Sequence, residues 1–310
     1  MKHLSTILLI LLLVTACSTK KRMITTSLRT QLSSAFYKNQ FTGIFIIDAK
    51  SKDTVYALNS DTYFTPASNT KIFTLYTAMT LLPKRLPALQ YIVHNDTLFF
   101  QGTGDPSFLH PYLKDSTAFN FLNTQNHLVY VTGNFQDKKY GPGWAWDDYE
   151  WYYSPERSGL PMYGNVVLAH NNPSFKIQPT YFTDSVLPIL HKNQRDEARN
   201  VFYHPPEKDT LETPYITSIK TSTALLSTLL NKPIPTQAAM PNGAMHTLYG
   251  PEADSLYVRM MHESDNFIAE QLLLVCAGVL KDTLNSEVAR TYMLEGILGD
   301  LAQMPRWVDG

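Results

Sequence analysis

Apolar residues along the chain fall into three textures, each predicting a different kind of element. Near the start, Ile7 to Val14 is an unbroken apolar run preceded by Lys2 and His3. It is shorter than the roughly twenty residues needed to cross a bilayer. A second texture has short β-branched runs separated by turn residues. FTGIFIIDAKSKDTVYALNSD, from Phe41, predicts a hairpin across Ala49-Lys50-Ser51-Lys52-Asp53, and YIVHNDTLFFQG predicts another across Asn95-Asp96. HLVYVTGNF, NVVLAHN and SFKIQPTYF are further strand candidates between Asn- and Pro-containing turns. The third texture is helical spacing. It covers Ser27–Phe36, a segment opened by Thr65-Pro66 and closed at Pro83, then Thr217–Leu230, Glu252–Met261, Phe267–Leu280 and Ser286–Leu301. Within the Thr65–Pro83 segment, Ile72 to Leu82 is apolar on nearly every side, so this helix is expected at the centre of a core.

Strand texture concentrates between residues 86 and 206, with helices on both sides. This predicts an α+β protein in which residues 22–85 and 207–310 form one domain and 86–206 an inserted β-rich domain. A length of 310 residues with 44% apolar content can build such cores. The net charge of -1 argues against nucleic acid as a partner, because neutralising phosphates needs a basic face.

The apolar run ends in Val14-Thr15-Ala16-Cys17, followed by Ser18-Thr19-Lys20-Lys21. Residues 1–17 read as a lipoprotein signal peptide, with Cys17 the lipidated residue. Acylation would make the protein a membrane-anchored lipoprotein facing the periplasm of a bacterial envelope, since several acyl chains anchor firmly where one is marginal. Cys276 is then the only free thiol, and its setting in AEQLLLVCAGVL reads as a buried small hydrophobe.

Candidate chemistry lies in two motifs. Ser68-Asn69-Thr70-Lys71 places a serine and a lysine one turn apart on one helix face. A serine hydroxyl needs a base to become a nucleophile, and lysine serves when burial lowers its pKa. Phe64, Ile72, Phe73 and Tyr76 supply apolar neighbours. Ser-x-x-Lys also arises by chance, as at Ser18…Lys21. Downstream, Ser264-Asp265-Asn266 precedes an apolar helix and is at least an N-cap. Paired with Ser68 and Lys71 it gains roles: Ser264 relays a proton to the leaving group, Asn266 bonds Lys71 and a substrate carbonyl, and Asp265 holds the loop. No cofactor or metal is called for. His262-Glu263 opens like a zinc-protease helix, but Asn266 stands where the second His is required. Gly102-Thr103-Gly104-Asp105-Pro106 lacks a following helix and reads as a turn.

These residues resemble a known family, the D-alanyl-D-alanine carboxypeptidase/endopeptidases, or class C low-molecular-mass penicillin-binding proteins. The resemblance rests on PASNTK, GTGDPSF, GPGWAWDDYEWYYSPE, SGLPMYGNVV, HESDNFIAEQLL and WVDG, in family order from about residue 40 onward. It implies a penicillin-binding/β-lactamase-like transpeptidase domain interrupted by an insert, and a Ser68 acyl-enzyme that cuts peptidoglycan stem peptides. β-Lactams would be covalent inhibitors. Asp148 would meet the side-chain ammonium of the stem peptide, with Tyr153 beside it. The interval from Lys71 to Ser264 is short for the family, which implies a reduced third subdomain. The family pattern continues past Val-Asp-Gly into Ser-Gly-Leu-Ser-Arg and a Lys-Thr-Gly strand, neither of which follows Gly310. An incomplete, C-terminally truncated transpeptidase domain with impaired turnover is therefore the expectation. The alternatives are a non-catalytic lipoprotein that binds cell-wall peptides, and a β-lactamase or esterase on the same scaffold.

Overall fold

In the computed structural model, which describes residues 21–171, 174–301 and 305–310, the chain divides into two compact units, one ending at Ala67 and the other beginning at Ser68. Cys17 and the apolar run before it lie outside the described residues.

The described part of the first unit has two helices, α1 (residues 21–32) and α2 (Ala35–Lys38), then a hairpin of β1 (Ile44–Ile47) and β2 (Thr54–Leu58). The helix expected over Ser27–Phe36 is broken at Ser33-Ser34, where the Ser33 hydroxyl donates to the Thr30 carbonyl and competes with the backbone ladder. The strands pair antiparallel with Ile44 opposite Leu58, and Asp48 closes the turn by accepting from the Lys50 and Ser51 N–H groups.

A 3-10 turn, Ala67–Thr70, spans the point where the second unit begins and runs into α3 (Lys71–Leu81). The regular helix therefore opens later than Thr65-Pro66 suggested. Ala67 takes a φ of 46°, a left-handed conformation that cannot belong to a right-handed helix. Next come β3 (Arg85–His94), β4 (Thr97–Gly102), α4 (Thr117–Asn123) and β5 (His127–Val131). The β3–β4 hairpin turns at Asn95-Asp96, both left-handed at φ 48° and 60°, as a tight two-residue turn requires. β4 and β5 run parallel, and α4 lies in the crossover that parallel pairing needs.

Seven more strands follow: β6 (Val166–His170), β7 (Lys176–Gln178), β8 (Val186–Leu187), β9 (Phe202–Tyr203), β10 (Thr210–Pro214), β11 (Thr236–Gln237) and β12 (His246–Glu252), with α5 (Ile219–Leu230) between β10 and β11. The largest sheet has the order β11-β5-β4-β3-β12, and a smaller one the order β10-β6-β7. Both sheets take strands from beyond residue 206, so strand pairing crosses the domain boundary expected there.

The chain then forms α6 (Ala253–His262), α7 (Asn266–Lys281) and α8 (Ser286–Tyr292), with a π-helical turn at Met293–Ile297. Among the described residues no helix is long and apolar enough to cross a membrane. Two cores result. One packs Leu89, Phe100 and Leu128 of the large sheet against Leu226 of α5, and the other gathers Leu256, Met260, Leu272 and Leu273 from α6 and α7. The central helix of the second core is α7, buried on all sides from Phe267 to Ala277, rather than α3. α3 buries Lys71, Thr74, Thr77 and Ala78 and leaves Ile72, Tyr76 and Met79 exposed. The face it buries is largely polar: Lys71 bonds Asn266, and the Thr77 hydroxyl donates to the Phe73 carbonyl. Cys276 sits deep in α7, where burial pushes its thiol far above the ordinary range and keeps it inert. The glycine turn after β4 is a packing device: a Cβ on Gly102 would lie 2.0 Å from the Gly159 carbonyl oxygen.

Candidate active site

The left-handed Ala67 turns the chain so that Ser68 stands at the mouth of α3, three residues before Lys71. Lys71 is 3% exposed; its Nζ donates to Asn266 Oδ1 at 2.6 Å and lies 3.4 Å from Ser68 Oγ. Burial lowers its pKa, opposed by the negative fields of Glu270, Asp265 and Asp309. A lysine so placed gives up its proton more readily than one in water and can accept the serine proton.

Asn266 is presented by the loop between α6 and α7. Ser264 adopts φ 55°, a strained conformation for a residue with a side chain, and the chain then enters α7. Asp265 caps α7 by accepting from the Ile268 N–H at 3.0 Å, and its other oxygen accepts from Arg259 Nε at 2.9 Å. Asn266 Nδ2 donates to the Tyr153 carbonyl at 3.2 Å, joining the loop to the aromatic segment. Ser264 is exposed, and among the described residues its hydroxyl bonds neither Lys71 nor Ser68, although it lines the same cavity as Ser68.

Two buried side chains of α7 tie the helix that Asn266 opens to the surrounding chain. Gln271 Nε2 donates to the carbonyls of Gly104 and Ser158, and its Oε1 accepts from the Ser158 N–H. Glu270 pairs with Arg157 at 3.1 Å and accepts from the Gly310 N–H at 2.7 Å. Arg157, 1% exposed, also reaches Asp137 at 3.2 Å and Ser286 at 3.0 Å. Trp307 packs against Phe73 of α3, with ring centroids 5.9 Å apart. The last residues are thereby seated between α3 and α7, which explains the influence of Asp309 on Lys71.

Asp148 lies in a 3-10 turn, Trp146–Glu150, and accepts from the Tyr153 hydroxyl at 2.9 Å. Burial raises the phenol pKa, and the hydrogen bond to Asp148 adds to the rise. Tyr153 lines a cavity of 340 Å³ together with Ser68, Ser264 and Asn266. Asp148 stands one hydrogen bond behind it. Five of the six candidate site residues, all but Asp148, thus have a place on the cavity or at its Ser68 end.

Sequence reasoning missed the far side of this cavity, lined by His110, Gly164, Glu212 and Arg259. Lone polar residues on separate elements leave no pattern. The one signal was Tyr163-Gly164-Asn165, three consecutive left-handed residues with φ 56°, 64° and 54°. Asn165 fixes that turn, donating to Glu156 O and Ser158 Oγ and accepting from the Met162 N–H and the Tyr215 hydroxyl. The zinc-like sequence is split between helices, with His262 ending α6 and Asn266 opening α7. Among the described residues no group of three His, Cys, Asp or Glu side chains is arranged to hold a metal.

Residues 26–196, more than half of the chain, match the model of the D-Ala-D-Ala carboxypeptidase 3 (S13) family. No curated protein sequence matches the chain. Among solved structures, penicillin-binding protein 4 from Haemophilus influenzae superposes with a TM-score of 0.61 at 18% identity, covering 84% of this chain and 68% of that one. The same protein in complex with a novel β-lactam gives a TM-score of 0.53 at 14% identity, covering 84% and 67%. At such identities the likeness is one of fold, a mixed α/β penicillin-binding architecture.

Proposed function

The chain belongs to the D-Ala-D-Ala carboxypeptidase 3 (S13) family, and on that premise we propose that Ser68 attacks the terminal D-Ala-D-Ala bond of a peptidoglycan stem peptide and holds the product as an acyl-enzyme. Lys71 takes the Ser68 proton as the bond to the carbonyl carbon forms. Asn266 fixes the amine, and Ser264 passes the proton to the departing amine nitrogen. Water then releases the acyl group. The observation that carries this reading is the buried Lys71 amine bridging Asn266 and Ser68.

The test is chemical. The 310-residue chain is incubated with a fluorescent penicillin, digested and sequenced by mass spectrometry. The adduct is expected on the peptide containing Ser68, and an adduct on any other serine overturns the assignment.

Asp148, with Tyr153 bonded to it, is proposed to meet an ammonium on the stem peptide side chain. Asp148→Asn should weaken binding of a D-Ala-D-Ala peptide with a free side-chain amine by about two- to fivefold, the range for a partly exposed ion pair. Binding of the N-acetylated peptide should not change. Equal loss for both peptides would remove Asp148 from recognition.

A further inference from the structure

The cavity at Ser68 has a second polar wall that the acyl-enzyme chemistry leaves unused. His110 is 6% exposed, and its Nδ1 accepts the Tyr112 N–H at 3.2 Å, which leaves the ring proton on Nε2. Burial holds this imidazole neutral, its pKa brought down to about 4. Nε2 lies along Gly164, where an added Cβ would come within 3.1 Å of it. Arg259 spreads over the Tyr112 ring at 4.0 Å and gives Nε to Asp265. Its terminal nitrogens make no hydrogen bond among the described residues. Glu212, on β10, accepts no side-chain hydrogen bond among the described residues, and burial raises its pKa against the pull of Arg259. The wall thus offers one acceptor and two donors to whatever occupies the cavity.

We propose that His110, Glu212 and Arg259 form a recognition subsite for a neutral peptide amide of the substrate, on the N-terminal side of the bond attacked by Ser68. The proposal rests on the reading of Ser68 as the nucleophile. An amide presents an N–H and a C=O together: Glu212 accepts from the first, and His110 Nε2 or Arg259 donates to the second. A free carboxylate at this place would meet Glu212, and an ammonium would meet Arg259, and neither repulsion is well screened in a half-buried site. The leaving residue is terminal, so any further amide must lie upstream. Space is available there. Tyr112, Arg259 and Glu263 also line a neighbouring hollow of 730 Å³, into which a longer peptide can continue. The Arg259–Asp265 pair ties the subsite to the loop that carries Ser264 and Asn266.

The experiment is equilibrium binding to the 310-residue chain carrying Ser68→Ala, so that no probe is consumed. The probes are D-Ala-D-Ala peptides lengthened one residue at a time at the amino end. Affinity should step up by about tenfold when the amide that reaches this wall is added. Replacing that amide by an ester, which removes its N–H, should abolish the step. Glu212→Ala should collapse the ratio between long and short peptides, and Glu212→Gln, which keeps an acceptor, should restore most of it. A ratio retained in Glu212→Ala, or an ester that binds as well as the amide, would overturn the subsite. If Glu212→Ala does not fold, the ester comparison decides by itself. Penicillin labelling of the wild-type chain separates the two readings. A length step without labelling would overturn the Ser68 reading alone, and labelling without a length step would overturn the subsite alone.

Discussion

Lys71→Ala is expected to slow penicillin acylation of Ser68 by about a hundredfold to ten-thousandfold, the usual contribution of a positioned general base. Its amine bonds Asn266 and reaches Ser68, so no water-exposed lysine can substitute for it. The pH dependence has a definite sign. Burial disfavours the ammonium, so the folded pKa lies below the ordinary lysine value, and only the neutral amine accepts a proton. The wild-type acylation rate should therefore rise with pH through that lowered pKa and level off above it. Lys71→Arg keeps the positive charge and a donor for Asn266 but stays protonated, so its rate should be low at every pH. Linkage runs the same way. The unfolded chain holds the Lys71 proton up to its ordinary pKa while the folded chain has released it, so this group adds stability as pH rises through that window. Stopped-flow labelling of the three proteins across pH is the measurement. A Lys71→Arg variant with a wild-type rate and profile would sink the base assignment.

Arg157→Met should be among the most destabilising single changes in this chain. The guanidinium is fully buried and pairs with Glu270 and Asp137 while bonding Ser286 and the carbonyls of Lys138 and Tyr140. Its loss leaves Glu270 buried with the Gly310 N–H as its remaining donor. Breaking a buried pair in this way costs about 3–5 kcal/mol, a large part of the roughly 5–15 kcal/mol by which a protein is stable. Glu270 already has a raised pKa through burial, and Arg157 is what opposes the rise. A raised carboxylate favours folding at low pH and loses that contribution as pH climbs through its folded pKa. In the variant that pKa moves higher still, so its deficit against wild type should be smaller near about pH 5 than near about pH 8. Urea unfolding at both values measures it. The double variant with Glu270→Gln should recover part of the loss, and a double variant no better than the single would refute the unpaired-charge explanation.

Several features were written locally and could be read from the sequence. The β1–β2 and β3–β4 hairpins needed only alternating runs around turn residues, with Asn95 and Asp96 able to take left-handed φ cheaply. α5 was visible as helical spacing over Thr217–Leu230, and α7 as an apolar run behind the capping residues Ser264-Asp265-Asn266. The serine–lysine spacing and the Ser264-Asp265-Asn266 triplet were equally visible, because each depends on neighbours within one helical turn.

Tertiary structure alone decided which of these met. Lys71 and Asn266 are 195 positions apart, and their hydrogen bond exists because α7 runs through the middle of the core and carries its N-terminus to α3. Apolar content ranked α3 as the central helix. Burial went instead to α7, whose Glu270 and Gln271 find partners inside. The large sheet joins β3, β4 and β5 to β11 and β12 across more than a hundred residues, a pairing that no local window contains. His110, Glu212 and Arg259 share one wall through the same long-range packing. Local spacing sets backbone conformation through contacts a few residues long. Which polar groups face one another is set by how the apolar faces are buried together, and that is a property of the whole chain.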